Sequence, residues 1–148
     1  MPGAVVSFFS LLGLRPIFLV KNRRFILRVL FVDDIEDVRN ITKAFLEEEG
    51  FNVDVADNGR QALRILSETS PDLIISDIIM PGKEGIETII EIKEKFPAAK
   101  IIVISGGGWY GTEIDFDMAE KLGAVTLDKP FEIKDLLATV KQMLQQPE

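Results

Sequence analysis

The chain has 148 residues, carries a net charge of −7 and contains neither cysteine nor histidine. This composition excludes disulfide bonds, thiol nucleophiles, Ser-His-Asp triads and zinc sites built from Cys or His. The length is typical of one domain, in which acid, base or metal chemistry is left to carboxylates, lysines, hydroxyls and the backbone.

The N-terminal segment differs from the rest in charge and polarity. Residues 1–28 contain five basic side chains and no acidic one, whereas the remaining chain holds the other 12 of the 17 bases and all 24 acids. Residues 3–20 are largely apolar, but Arg15 and Pro16 interrupt the run of about 20 residues that a membrane span needs. We interpret residues 1–26 as an extension that is either disordered or the product of a misassigned start, with translation beginning at Leu27. A membrane anchor is the alternative.

From Leu27 onward, short apolar runs alternate with amphipathic stretches. The pattern predicts five strands, at Leu27–Val32, Asn52–Ala56, Leu73–Ser76, Ile101–Ser105 and Val125–Leu127. It also predicts five helices, at Asp37–Glu49, Arg60–Glu68, Ile86–Phe96, Ile114–Leu122 and Ile133–Leu144. Nearly continuous apolar strands between amphipathic helices predict an α/β fold with a doubly wound, five-stranded parallel sheet, a (βα)5 flavodoxin-like three-layer sandwich. We place this domain at residues 27–146, with a tail at 147–148.

Polar residues follow four of the five predicted strands. They are Asp33-Asp34, Asp77, the Ser105-Gly106-Gly107-Gly108 run and Asp128-Lys129-Pro130. Taken singly, such residues are commonly helix caps or turns. In a doubly wound sheet, however, the carboxyl ends of the strands line one reactive crevice, so together they predict a site.

The chemistry of that site follows from its charges. Three carboxylates in one pocket repel each other and favour a hard divalent cation, Mg²⁺ or Mn²⁺. One such cation and Lys129 would bring the pocket to neutrality. A carboxylate in this setting can attack phosphorus and form an aspartyl phosphate, with the Ser105 hydroxyl as a further donor. The acidic body, in contrast, predicts no direct binding of nucleic acid.

Four segments resemble the receiver domains of bacterial two-component response regulators. They are VLFVDDIEDVR at 29–39, PDLIISDIIMPGKEG at 71–85, VISGGG at 103–108 and LGAVTLDKPF at 122–131. The resemblance covers about residues 27–145 and is strongest to single-domain, chemotaxis-regulator-like receivers. It implies that Asp77 is the phosphoacceptor, that Asp34 binds Mg²⁺ directly and Asp33 largely through water, and that the carbonyl of Ile79 completes the ligands.

The same resemblance implies the switch residues. Lys129 would pair with the phosphoryl group and would precede a cis peptide bond to Pro130, while Ser105 would be the switch hydroxyl. Thr126 stands where the family often has a Tyr or Phe whose ring moves inward on activation. The coupling between the switch hydroxyl and such a ring is therefore in question here. The loop aromatics Trp109 and Tyr110 either contact a partner or pack on the surface.

The implied function is a stand-alone, cytoplasmic phosphoacceptor that assists only its own phosphorylation and dephosphorylation. Its partners would be a histidine kinase or histidine phosphotransfer protein, and a downstream protein bound by the fourth helix, fifth strand and fifth helix. A homodimer on phosphorylation is a further expectation.

One alternative is an interaction module that works without phosphorylation. Another is a haloacid-dehalogenase-type phosphohydrolase, although Ile79 stands where that class needs a second Asp. A flavodoxin-like cofactor binder is less favoured, because the first predicted strand of this chain is not followed by the Ser/Thr/Gly-rich phosphate loop of that class.

Overall fold

A computed structural model of the chain describes residues 18–20, 23–77, 84–105 and 113–145. Seven strands lie in these ranges: β1 Phe18–Val20, β2 Arg23–Phe25, β3 Arg28–Val32, β4 Asn52–Ala56, β5 Leu73–Asp77, β6 Ile101–Ser105 and β7 Val125–Asp128. The five helices are α1 Glu36–Glu48, α2 Gly59–Glu68, α3 Glu84–Lys95, α4 Glu113–Lys121 and α5 Ile133–Gln145. Every element predicted from Leu27 onward is present, with bounds that differ by one or two residues.

Strands β3 to β7 form one parallel sheet in the order β4-β3-β5-β6-β7. The predicted doubly wound (βα)5 fold is therefore confirmed. Parallel strands cannot be joined by a tight hairpin, so each strand is connected to the next one along the chain through a helix that covers a face of the sheet.

Alternating residues of the strands divide the core into two layers. On one face, Val29 and Phe31 of β3 pack with Leu73 and Ile75 of β5 beneath residues of α1 and α5. On the other face, Leu30 and Val32 join Ile74 and Val103 beneath α2, α3 and α4. The side chains of all of these strand residues are buried. Burial on both faces explains why the strands are continuously apolar in the sequence.

The N-terminal strands form a separate two-stranded antiparallel sheet. β1 pairs with β2, with Phe18 opposite Phe25 and Val20 opposite Arg23. No element was predicted here, and the β-branched and aromatic members of these six residues favour strands. The interpretation of residues 1–26 as a disordered extension stays a prediction. The proposed start at Leu27 stays a prediction. Among the described residues, none of the helices has the length and apolarity to cross a membrane.

Candidate functional site

The register of the parallel sheet brings four strand ends together. Val32, the last residue of β3, pairs with Ser76 of β5, so Asp33 and Asp77 follow at neighbouring positions. Asp77 pairs with Ile104 of β6, and Ser105 pairs with Asp128 of β7, which directly precedes Lys129. The carboxyl edge of the sheet therefore gathers the predicted residues from parts of the chain far apart in sequence.

Asp77 and Lys129 form an ion pair across this edge. The Lys129 Nζ donates to Asp77 Oδ2 at 2.9 Å, and the two positions are 52 residues apart in sequence. The Asp77 side chain is 3% exposed and that of Lys129 is 37% exposed. The Lys129–Pro130 peptide bond is cis, as predicted. A buried carboxylate thus contacts the ammonium group of a partly exposed lysine side chain.

Asp33 is the second buried carboxyl group at this edge. Its Oδ1 accepts a hydrogen bond of 2.8 Å from the Ile35 N–H, and its own N–H donates to the Ala56 carbonyl at 3.1 Å. Burial raises the pKa of Asp33 to about 6, and the charge of Asp77 adds to the rise, whereas the Ile35 hydrogen bond and Lys129 oppose it. Burial away from water thus disfavours the charged form of this carboxyl group.

Asp34 completes the set of acids but differs in its surroundings. Its side chain is exposed, whereas those of Asp33 and Asp77 are buried. In the ranges that the structure describes, no group of three or more Asp and Glu side chains is already placed to hold a metal ion. Two buried carboxyl groups at neighbouring strand ends, followed in the sequence by a third, nevertheless suit a hard divalent cation such as Mg²⁺. The magnesium site stays a prediction that these donors fit.

The turn between β3 and α1 carries a contact that the sequence reasoning missed. The Arg39 Nη1 donates to the backbone carbonyl of Asp33 at 2.8 Å. The signal was present in the sequence, since Arg39 closes the first of the four family-like segments. A basic side chain in the second turn of a helix can reach back to the loop that precedes it. The acidic site is therefore tied to α1 through its backbone.

The remaining predicted residues either belong to β6 and β7 or lie outside the described residues. The backbone of Ser105 ends β6 beside Asp128. Thr126 is half-buried and pairs with Val103, two residues before the end of β7. Ile79, Trp109 and Tyr110 lie outside the described residues, so their predicted roles stay predictions.

Comparison with known proteins agrees with this geometry. Residues 29–141 match the response regulator receiver domain family. An NtrX-like response regulator of Rickettsia bellii is 42% identical over 117 residues, which are 77% of this chain and 24% of that protein. The chain thus spans about a quarter of the length of this relative.

Two solved structures have the same fold. A CheY-like response regulator receiver domain protein of Methanospirillum hungatei superposes with a TM-score of 0.75 at 29% identity, covering 81% of this chain and 94% of that one. The response regulator TrrA of Thermotoga maritima, solved in complex with Mg(2+)-BeF, gives a TM-score of 0.69 at 35% identity. That alignment covers 80% of this chain and 100% of TrrA.

Proposed function

Because the chain belongs to the response regulator receiver domain family, we propose that it accepts a phosphoryl group on Asp77 from a phosphohistidine of a partner protein. The partner is a histidine kinase or a histidine phosphotransfer protein, and the transfer depends on Mg²⁺. The observation that carries the proposal is the contact of 2.9 Å between Lys129 Nζ and the buried Asp77 carboxylate, with Asp33 at the neighbouring strand end.

The proposed transfer is a displacement at phosphorus. An oxygen of the Asp77 carboxylate forms the new P–O bond while the N–P bond to the partner's imidazole breaks, and the imidazole leaves with the electron pair of that bond. Lys129 would neutralise a phosphoryl oxygen as the negative charge arrives, because its ammonium group already contacts Asp77 and its side chain is partly exposed.

Asp33, Asp34 and Asp77 would hold the divalent cation. When bound, such a cation supplies positive charge to phosphoryl oxygens and offsets the repulsion among the carboxylates. The three acids and Lys129 together leave two negative charges, which one Mg²⁺ balances. The Mg(2+)-BeF complex of TrrA supports the assignment by similarity.

The proposed outcome of phosphorylation is a change in partner binding. The surface of α4, β7 and α5 adjoins the site, because Lys129 directly follows β7. We place the downstream protein there, and homodimerisation as a further consequence. The NtrX-like relative is about four times as long as the matched segment, whereas the CheY-like protein and TrrA are covered almost completely. Action as a stand-alone unit therefore stays a prediction, as does a cytoplasmic location.

The proposal is tested by intact-mass measurement. The protein is incubated with MgCl₂ and acetyl phosphate or phosphoramidate, with EDTA in a parallel sample and Asp77→Asn as the matched control. We expect one added phosphoryl group in the wild type, and none in Asp77→Asn or in EDTA. If no donor, including purified histidine kinases, produced an adduct, the protein would instead be a phosphorylation-independent interaction module. Multiple-turnover release of phosphate from small phosphate esters would favour a phosphohydrolase.

A further inference from the structure

We propose that Arg39 is a positioning residue for divalent-cation binding, acting on Asp34 through the backbone carbonyl of Asp33. This inference rests on the proposed function, because it takes Asp34 to be a ligand of the cation. Within the described residues, no ion pair or hydrogen bond joins Arg39 to a carboxylate, that of Asp77 included. Its guanidinium, half-buried on α1, donates across six residues to a main-chain oxygen at the edge of the site.

Asp34 depends on its backbone for its position. Its side chain is exposed, and within the part of the chain that the structure describes, no hydrogen bond or ion pair restrains the carboxylate. The direction in which it points is therefore set by the conformation of the turn from which it projects. A freely turning ligand would lose more conformational entropy on binding a cation than one whose backbone is already fixed.

The turn is fixed mainly at Asp33. The Asp33 N–H donates to the Ala56 carbonyl, Asp33 Oδ1 accepts from the Ile35 N–H, and Arg39 holds the Asp33 carbonyl at 2.8 Å. That carbonyl belongs to the planar peptide unit whose other end is the Asp34 N–H. A hydrogen bond to the oxygen therefore orients the unit that leads into Asp34.

The start of helix α1 gives this contact added weight. The N-cap residue is Ile35, and it provides no side-chain cap for the helix. A polar N-cap would otherwise anchor the junction between loop and helix. Arg39 connects the helix to the preceding loop instead. Its backbone N–H donates to the Ile35 carbonyl at 3.0 Å, and its side chain donates to the Asp33 carbonyl.

A positioning role of Arg39 and a purely electrostatic effect predict changes of opposite sign in Mg²⁺ affinity when Arg39 is replaced. Arg39 is a cation close to an acidic site, so removing its charge should strengthen the binding of Mg²⁺ if long-range electrostatics were its only effect. If Arg39 instead orders the turn, its removal should weaken binding. Substitution of a residue that forms a hydrogen bond to a metal-binding residue typically reduces metal affinity by about 10- to 100-fold.

The test measures MgCl₂ binding by isothermal titration calorimetry in the full chain. The variants are Arg39→Met, which removes the donor and the charge, and Arg39→Lys, which keeps both in part. Lys43→Met is the matched control, because it removes one charge from the same helix and one exposed ion pair, that of Lys43 with Glu47 at 3.6 Å. Urea unfolding in EDTA is also measured for each variant at the temperature of the titration, so that affinities are compared only between variants that are folded.

We expect Arg39→Met to weaken Mg²⁺ binding about tenfold, Arg39→Lys to recover part of the loss, and Lys43→Met to bind as tightly as the wild type or more tightly. If Arg39→Met is too unstable to titrate, Arg39→Lys decides, and it should bind more weakly than Lys43→Met. Unchanged or stronger binding by the Arg39 variants would overturn the inference, even with a loss of stability. Failure of the wild type itself to bind Mg²⁺ or to take a phosphoryl group on Asp77 would instead overturn the proposed function.

Discussion

Gly59 begins helix α2 directly against Thr88 of helix α3, and no space for a methyl group remains between them. A Cβ atom built on Gly59 would overlap the Thr88 hydroxyl oxygen and would also crowd its Cβ and Cγ2. Thr88 is buried, so its side chain cannot turn out into solvent without opening the helix pair. The close approach of the two helices thus requires glycine for its size.

Gly59→Ala should therefore destabilise the fold. Alanine gains up to about 1 kcal/mol over glycine in a helix, but overpacking a buried contact costs about 1–3 kcal/mol. The second effect should be the larger, giving a net loss of about 1–2 kcal/mol in the free energy of urea unfolding.

A double-mutant cycle checks the cause. Gly59→Ala combined with Thr88→Ala should be less destabilised than the sum of the single variants, because the overlapping hydroxyl is gone. Gly123→Ala combined with Thr88→Ala is the control and should be additive. The nearest side-chain atom to a Cβ at Gly123 is Lys93 Nζ at 3.8 Å, so the cost there comes from the positive φ of 86°. Additivity in both pairs would show that the steric explanation is wrong.

Asp33→Asn should stabilise the protein at neutral pH in the absence of divalent cations. Burial raises the pKa of Asp33 from 3.8 to about 6 in the folded chain, so the folded state binds more protons than the unfolded state between these values. Stability is therefore lost as the pH rises from about 4 to 6, and the loss above pH 6 amounts to about 3 kcal/mol for this shift. Asparagine keeps the oxygen that accepts the Ile35 N–H and avoids this cost.

Urea unfolding in EDTA at several pH values measures the effect. The advantage of Asp33→Asn should be largest above pH 6 and should disappear below about pH 4, where Asp33 is protonated in both states. Glu48→Gln, which removes an exposed carboxylate from the end of α1, controls for net charge. A constant difference across the pH range would contradict the assigned role of Asp33 burial.

Lys129→Met should slow phosphorylation of Asp77 much more than it affects folding. Removal of one preorganised donor at a site of developing negative charge typically costs 10²–10³-fold in rate, and we expect about 10²-fold here. Because Lys129 is 37% exposed, the loss of folding stability should stay near 1 kcal/mol, below the cost of breaking a fully buried pair.

The rate of mass gain with acetyl phosphate and MgCl₂ provides the measurement. Lys134→Met is the matched control, since Lys134 forms an exposed ion pair with Glu132 at 3.0 Å five residues further along the chain. Equal rates for Lys129→Met and Lys134→Met would exclude a direct role for Lys129 in the transfer.

Deletion of residues 1–26 should leave the five-stranded sheet intact. Among the strands that the structure describes, β1 and β2 pair only with each other, and the parallel sheet begins with Arg28 of β3. The midpoint of urea unfolding should therefore change little, and Asp77 should still accept a phosphoryl group. The comparison is between the full chain and a form beginning at Leu27. A large drop in the unfolding midpoint would show that the N-terminal strands support the domain.

The sequence was sufficient to predict the parallel sheet because its signals are local. Continuous apolar runs such as Ile101–Ser105 and helix stops such as Gly50 depend on nearby residues only, and both appear in the structure as predicted. The alignment of Asp33, Asp77 and Lys129 could also be predicted, since parallel strands end at one edge.

Other features depended on distances that no local pattern contains. The raised pKa of Asp33 depends on how deeply the turn is buried, and the bond from Arg39 to the Asp33 carbonyl depends on one rotamer. The contact of Gly59 with Thr88 depends on the spacing of two helices that are separated by a strand in the chain. The antiparallel pairing of β1 with β2 was also absent from the predictions, because three-residue strands are too short to show periodicity.

The pairing of Asp77 with Lys129 across 52 residues means that the proposed acceptor site is complete only in the finished fold. Asp77 emerges from the ribosome well before the lysine, and until β7 docks beside β6 its carboxylate lacks this cation. A nascent or misfolded copy would then be a poor acceptor. Phosphoryl incorporation would thus be largely confined to correctly folded molecules. A signalling pathway that uses this site would not respond to incomplete chains.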